Sequence, residues 1–210
     1  MKNIWKIDLD HSELRFEIAY LMISKVAGYI GRFEASFETD ENGFKQMTGI
    51  RLSAELDSLN TNSTLRDDML KSEQYFNAAN YSHISFTGAK FEQGAAELPL
   101  TILSSARKDF KITGSLTIKG IAKPILLEGL YGGSVTDTEG RKRVGFTVKA
   151  KINRSDFEVG PNPLTVGSEI LLGKEVFITA SCQFVQHTRN LKASIYLKPK
   201  TSTKLNMLCI

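Results

Sequence analysis

At 210 residues, with 41% hydrophobic and 24% charged residues, the chain is long enough to bury a sizeable core, and as an all-β chain it need not split into two domains. Its formal charge of +4 sits in the tail. Arg189, Lys192, Lys198, Lys200 and Lys204 follow Gln186 and no acidic residue does, so the rest is near neutral and bulk charge gives no argument for nucleic-acid binding by the body.

Trp5, Ile7 and Leu9 alternate with Lys6 and Asp8, which predicts a first strand ended by His11 and Ser12. Leu14, Phe16, Ile18 and Tyr20 then share one face, with Glu13, Arg15 and Glu17 on the other. Residues 21–25 read as a bend or a short helix. Strand character returns over 26–37, where Gly28 and Gly31 mark a bulge or the sharp bend that closed sheets need. After a turn at 40–43, Ile50, Leu52, Ala54 and Leu56 alternate with Arg51, Ser53, Glu55 and Asp57.

Ser63 or Thr64 could cap a short helix over 65–72, with Asp67 and Asp68 in the first turn, where carboxylates favour exposed N–H groups. Leu65, Met69 and Leu70 form its apolar side, expected to pack as a lid over one end of the sheet. Tyr75 and Phe76 anchor the exit, and Ile84 and Phe86 resume the strand pattern. A hairpin is expected around 92–96, then an edge or bulged strand over 98–103 because Pro99 lies inside it.

The alternation is cleanest over 108–152. Phe110, Ile112, Leu116 and Ile118 share a face, then Ile125, Leu127 and Tyr131, then Val144, Phe146, Val148, Ala150 and Ile152. A period of two fits antiparallel strands covered on one side and wet on the other. Residues 153–173 are irregular, with Ile170, Leu171 and Leu172 expected under the rim. In the last strand, 174–185, Cys182 has the parity of Val176, Ile178, Ala180 and Phe184 and reads as a buried small hydrophobe, while Cys209 lies too far along the tail to pair with it easily. The barrel domain is thus 1–185, followed by a basic tail over 186–210. Disorder, local packing and a weak contact with an anionic membrane surface are all open for that tail. Asp8 and Asp10 stand where a secretory signal would be apolar, and no run reaches membrane-spanning length. The expected location is cytoplasmic as written, or periplasmic if a signal peptide has been removed.

Many strands with one-sided burial point to a closed sheet, which removes edges that would template aggregation. About eight strands leave room for packed side chains or for one small ligand, and a large apolar lining suits an elongated lipid better than a sugar or nucleotide. Asp8, Asp10 and His11 could be a metal cluster, but strand neighbours alternate faces, so a turn and rim role is preferred and no metal site is expected. Arg66 with Asp67 and Asp68 could hold a headgroup or anchor the lid. Asn153, Arg154, Ser155 and Asp156 are turn residues, with Arg154 paired to a carboxylate as the plainer reading. No nucleophile elbow, Walker loop or dinucleotide fingerprint occurs. Phe16, Phe33, Phe86, Phe110 and Phe146 fall on the apolar side and only Tyr29 and Phe177 on the polar one, so no aromatic platform for nucleic acid is expected.

The order of short motifs carries a resemblance. Trp5 to Asp8 with His11, Ser12 and Phe16 is followed by Val26 with Gly28, 58–61, Arg66-Asp67, 70–72, Tyr75-Phe76 and 81–86. Gly114 to Gly120, Lys123-Pro124, Asn153 to Phe157 and 167–178 continue the series. Over 5–185 the chain resembles the YceI-like family, and the resemblance implies a lipocalin-like extended barrel that binds long isoprenoids or related amphiphilic lipids. The family often has histidine where Tyr20, Met69 and Lys119 stand, proline at Ser82 and glycine at Glu158. A histidine-dependent headgroup or metal contact is therefore not expected here.

The expectation is an all-β, extended antiparallel barrel of about eight strands with one or two short helices near the openings. Leu14, Phe16, Ile18, Tyr20, Ile50, Leu52, Ala54, Phe86, Ile112, Leu116, Phe146, Val148 and Ile178 should line an apolar interior; His11, Arg66, Asp67, Met69, Arg154 and Asp156 should form its rim or lid. The expected partner is a hydrophobic or amphiphilic small molecule, with no cofactor beyond a bound isoprenoid or other long-chain lipid, and a homodimer stays open. Binding, transport or storage without chemistry is the reading. The alternatives are an enzyme or stress-response factor acting on a lipid or quinone-like molecule, and a structural barrel with a filled core.

Overall fold

A computed structural model describes residues 2–40, 43–97, 108–161, 165–166, 169–170 and 172–187. Its strands are β1 (Asn3–Ile7), β2 (Glu13–Tyr20), β3 (Ser24–Ile30), β4 (Phe33–Asp40), β5 (Gly43–Glu55), β6 (Leu59–Asn60), β7 (His83–Glu97), β8 (Lys108–Ile118), β9 (Ile121–Thr136), β10 (Lys142–Asn153), β11 (Thr165–Val166), β12 (Glu169–Ile170) and β13 (Leu172–His187). Helix α1 spans Thr64–Lys71, and short 3₁₀ turns cover Leu9–His11, Leu56–Ser58 and Arg154–Phe157.

Eight strands close a ring in the order β1, β4, β5, β7, β8, β9, β10, β13 and back to β1. Every pairing is antiparallel, and the pairing of β1 with β13 closes the ring, which removes the edges that an open sheet would present there. β1 and β2 share one neighbour. Ile7 pairs with Phe184 and Glu13 with Ser181, so the two strands run along β13 in sequence, with the Leu9–His11 turn as a jog between them. β3 extends the sheet from β2, from Ser24 beside Tyr20 to Tyr29 beside Arg15, and β6 pairs with β3 at Tyr29 and Ile30.

Inward positions follow the period of two. Phe110, Ile112, Leu116, Ile118, Val144, Phe146 and Ile152 are buried, while Lys111, Thr113, Ser115, Lys149 and Lys151 are exposed. Several inward phenylalanines lie over glycines of the neighbouring strand: Phe16 faces Gly28 and Phe110 faces Gly129, while Phe86 sits beside Gly114. A Cβ on any of these glycines would collide with the ring. The missing side chain lets each ring rest along the wall instead of filling the bore.

Several sequence expectations are corrected. The hairpin expected at 92–96 is uninterrupted strand: β7 runs to Glu97 and pairs with β8 from Ser85↔Thr117 to Glu97↔Lys108, with register shifts that absorb the small residues around Gly94. Residues 98–103, expected as an edge strand, lie outside the described residues, as does the tail beyond His187. Leu9 leaves the first strand for the turn and is exposed. Strand 26–37 is two strands broken at Gly31, whose N–H donates to Ser58 O at 3.2 Å.

One end of the barrel is closed by aromatic rings. Trp5 stacks on Phe37 with ring centroids 6.0 Å apart and 8° between planes, Phe37 meets Phe184 at 4.9 Å, and Phe44 and Phe146 complete the floor at 5.9 Å. Trp5 Nε1 donates to Thr39 Oγ1 at 3.1 Å, which satisfies the one polar atom the indole brings into the floor.

Outside this end, Arg143 bridges the turn after β1 to the β9–β10 turn by donating to Asp8 and to Asp137, the latter at 2.8 Å. Arg143 holds Asp137 well below the usual carboxylate range and also lowers Asp8, where a hydrogen bond to His11 assists. Depressed carboxylates stabilise the folded state above their unfolded value of 3.8, and that contribution disappears as pH falls through the folded values. Urea midpoints should therefore decline below about pH 4. Arg143→Met should lower the neutral-pH midpoint and flatten the decline; an unchanged acid profile would remove the bridge from the account.

Candidate functional site

Above the aromatic floor the barrel encloses a cavity of about 1030 Å³ that opens at the other end. This lies at the upper edge of the range for small-molecule sites, ~300–1,000 Å³. Its wall on β13 runs from Leu172 to Phe184, roughly 30 Å along the axis at ordinary strand rise and tilt. A long narrow bore with an apolar wall accepts a chain better than a compact polar molecule.

Every interior position named from the sequence, from Leu14 on β2 to Ile178 on β13, lines this cavity. Val148, Ile178, Ile50 and Leu52 are partly buried, whereas Ile112, Leu116 and Phe146 of the same lining are buried. Ala54 differs. It is fully buried in a packed cluster with Ile30 and Phe33, so it is wall more than bore. The sequence reading missed Ala35, Phe37, Met47, Tyr75, Phe157 and Val159, which also line the cavity. The alternation of Phe33, Ala35 and Phe37 was a usable signal for β4, obscured by the bend at Gly31.

The rim is built on α1. Asp67, buried, accepts from Thr61 N at 2.8 Å and Thr61 Oγ1 at 2.6 Å; Arg66 donates to Thr61 Oγ1 at 2.8 Å and to Thr61 O at 2.7 Å. These four bonds strap the helix to the segment after β6, while Lys71 Nζ reaches Asp57 O at 2.9 Å. Ser63 precedes the helix but its side chain caps nothing. The expected lid is corrected in one respect. Leu70 packs against the core, but Leu65 and Met69 line the opening and face solvent, so the helix borders the mouth instead of covering it.

Arg154 is buried in the wall at the mouth end. Nε donates to Gly173 O at 2.9 Å, and Nη1 to Val159 O at 2.9 Å and Pro161 O at 2.8 Å. The carboxylate partner expected from sequence is absent among the described residues: backbone carbonyls hold the fork, and Nη2 has no partner. Burial pulls the guanidinium below its ordinary pKa. Arg154 joins the start of β13 to the chain after the 3₁₀ turn, which positions this quarter of the mouth. Asp156, on the exposed side of the turn, does not line the cavity.

His11 is also corrected as a rim residue. It lies on the outer wall in the jog between β1 and β2, bonded to Asp8 Oδ2 at 3.0 Å, because both strands follow β13 and the turn falls partway along it. Among the described residues no group of three or more His, Cys, Asp or Glu side chains could hold a metal ion. Cys182 lines the cavity with its thiol pushed up to about 12 by burial, so at neutral pH it is a wall atom and not a thiolate.

Glu158 has φ of 54° and ends the Arg154–Phe157 turn in a left-handed conformation. Its carbonyl accepts from Lys119 Nζ at 2.8 Å. Glu158→Gly should keep that bond and raise stability by ~1 kcal/mol in a thermal melt, since a side chain in this region is strained.

Comparison with known proteins agrees with this geometry. A model of the YceI-like domain matches residues 5–184. The UPF0312 protein SAS2572 of Staphylococcus aureus is 29% identical over 175 residues, covering 83% of this chain and 92% of its own. Among solved structures, Burkholderia cenocepacia BcnA superposes with a TM-score of 0.68 at 19% identity, over 84% of this chain and 98% of its own. The Campylobacter jejuni YCEI protein gives 0.65 at 24% identity over 79% and 88%. A polyisoprenoid binding domain from Saccharophagus degradans gives 0.59 at 13% identity over 87% and 98%.

Proposed function

The chain belongs to the YceI-like domain family, and from that premise we propose that its barrel holds a long-chain isoprenoid or similar amphiphilic lipid non-covalently and carries, stores or shields it without changing it. The observation that carries this reading is the cavity itself: about 1030 Å³, apolar along its wall, floored by aromatic rings and open at one end. Each methylene moved from water into such a bore contributes ~0.8 kcal/mol before ordering costs, so affinity grows with chain length. The solved Saccharophagus degradans neighbour is described as a polyisoprenoid binding domain, which supports the same class of guest here.

Protein purified from its expressing cell should retain a lipid that organic extraction releases chemically unchanged, seen by native mass spectrometry as a discrete added mass. Delipidated protein should melt below reloaded protein, as binding to the folded state alone requires. Exhaustive chelation should not reduce lipid capacity, because among the described residues no group of three or more His, Cys, Asp or Glu side chains could hold a metal ion. Time-dependent conversion of an added isoprenoid by metal-free protein would replace carriage with catalysis.

A further inference from the structure

The open end of the barrel is bordered by bulky apolar side chains turned to solvent. Ile23 is 86% exposed, Leu65 84%, Met22 68% and Met69 44%. Tyr20, Leu65 and Met69 also line the cavity, so this patch and the cavity wall are one continuous apolar surface. Met22 and Ile23 belong to the tip of the β2–β3 hairpin, directly after Tyr20.

That tip has an unusual backbone. Leu21 and Met22 have φ of 51° and 59°, and the turn is closed by Ile23 N donating to Tyr20 O at 3.3 Å. Two successive positive φ values are the geometry that Asn-Gly supplies without strain. A hairpin selected only to reverse the chain would use those residues. Here Leu and Met occupy the strained positions and project into water, so the local rules of folding are overridden at one exposed point beside the cavity mouth.

We propose that the tip formed by Leu21, Met22 and Ile23, with Leu65 and Met69 of α1, inserts into the interfacial layer of a lipid bilayer and seats the mouth on it, so that a chain passes between membrane and cavity without crossing water. This rests on the carriage of a long-chain lipid proposed above. A protein or a second copy of the chain placed on this end would seal the opening, whereas a bilayer continues the apolar wall with acyl chains. The apolar tip, Leu21 to Ile23, carries no charge of its own; the next basic residue along the chain, Lys25, pairs with Glu17 at 3.0 Å, and Arg66 is held by the neutral hydroxyl and carbonyl of Thr61. Attraction is therefore apolar insertion and needs no anionic lipid. It is also separate from the other end of the barrel, where β13 finishes with His187 beside Ile4.

The test compares wild type with Leu21→Asn/Met22→Gly, two positions outside the cavity wall. Wild type should co-sediment with phosphatidylcholine vesicles equally at about 0.1 M and 0.5 M salt, since insertion is not screened. The variant should partition about tenfold less, from loss of two inserted apolar side chains, while melting at the same temperature or a few degrees higher because Asn-Gly relieves the turn. Both proteins should load equally from a detergent-dispersed isoprenoid alcohol, and only uptake from vesicles should fall in the variant. Vesicle binding that vanishes at the higher salt overturns the inference in favour of charge. A wild-type dimer that the variant abolishes, without vesicle binding, overturns it in favour of a second copy. Wild type that loads dispersed lipid but ignores vesicles removes the docking and leaves the carriage; wild type that loads nothing removes both.

Discussion

Narrowing the bore from both sides should abolish lipid capacity while leaving the barrel folded. β5 and β10 lie four strands apart in the ring of eight, so Leu52 and Val148 reach into the cavity from opposing walls. Both are partly buried and line the cavity. In Leu52→Trp/Val148→Trp the two indoles should project into that space and obstruct a chain that must thread past them. Loading from dispersed isoprenoid should fall at least ~10-fold, a loss of ~1.4 kcal/mol, and added lipid should no longer raise the melting temperature. The delipidated variant should melt close to delipidated wild type. Ala54→Trp supplies the contrast: Ala54 is fully buried against Ile30 and Phe33, where a larger side chain must push neighbours off their rotamers at ~1–3 kcal/mol or more. If the double variant is as destabilised as Ala54→Trp and wild type takes up no lipid, the interior is a filled core and the proposed function fails.

The interior was legible because a strand with one wet face writes its register into the sequence. Leu14, Phe16 and Ile18, or Ile112 and Leu116, could only face inward once the period of two was seen. The emptiness of the interior was not legible, since alternating Phe and Leu describe a pocket and a packed core equally. What decides it is partly the placement of glycine. Gly28, Gly114 and Gly129 let Phe16, Phe86 and Phe110 lie over neighbouring backbone, a cross-strand relation that no local pattern announces. The hairpin expected at 92–96 failed for a related reason. Small residues around Gly94 look like a turn locally, yet the long pairing of β7 with β8 carries the strand through them.

The rim was read less well because its contacts are not periodic. Leu65 and Met69 have helical spacing to be buried, but the strap from Asp67 and Arg66 to Thr61, with the Lys71 bond to Asp57 O and the packing of Leu70, fixes the orientation that leaves them at the mouth. His11 looked like a rim residue because it sits in a turn, but that turn joins two strands that share one neighbour and so falls on the side of the barrel.

Arg154 is where the largest loss of stability is expected. Its sequence context, four good turn residues in a row, hides the fact that its guanidinium crosses to Val159, Pro161 and Gly173 and holds three backbone carbonyls. Hydrogen bonds from a charged donor contribute ~1.5–3 kcal/mol each, and buried acceptors left without a partner lose ~1–3 kcal/mol. The cost of burying a cation with no carboxylate partner among the described residues is set against these gains, so Arg154→Met should lose ~3–5 kcal/mol in total and melt roughly 10 °C lower. Arg154→Lys tests what the residue does. If a positive charge at this place were sufficient, lysine would restore most of the stability. If the carbonyls need a planar fork aimed in two directions, a compact ammonium can serve only part of the set and the variant should recover less than about half of the loss. Because the same carbonyls fix the start of β13 beside the mouth, lipid release from Arg154→Lys should also be faster than from wild type when both are measured well below their melting temperatures. A methionine variant that melts within ~2 °C of wild type would mean that the three bonds contribute nothing net, and that the mouth holds its shape by apolar packing alone.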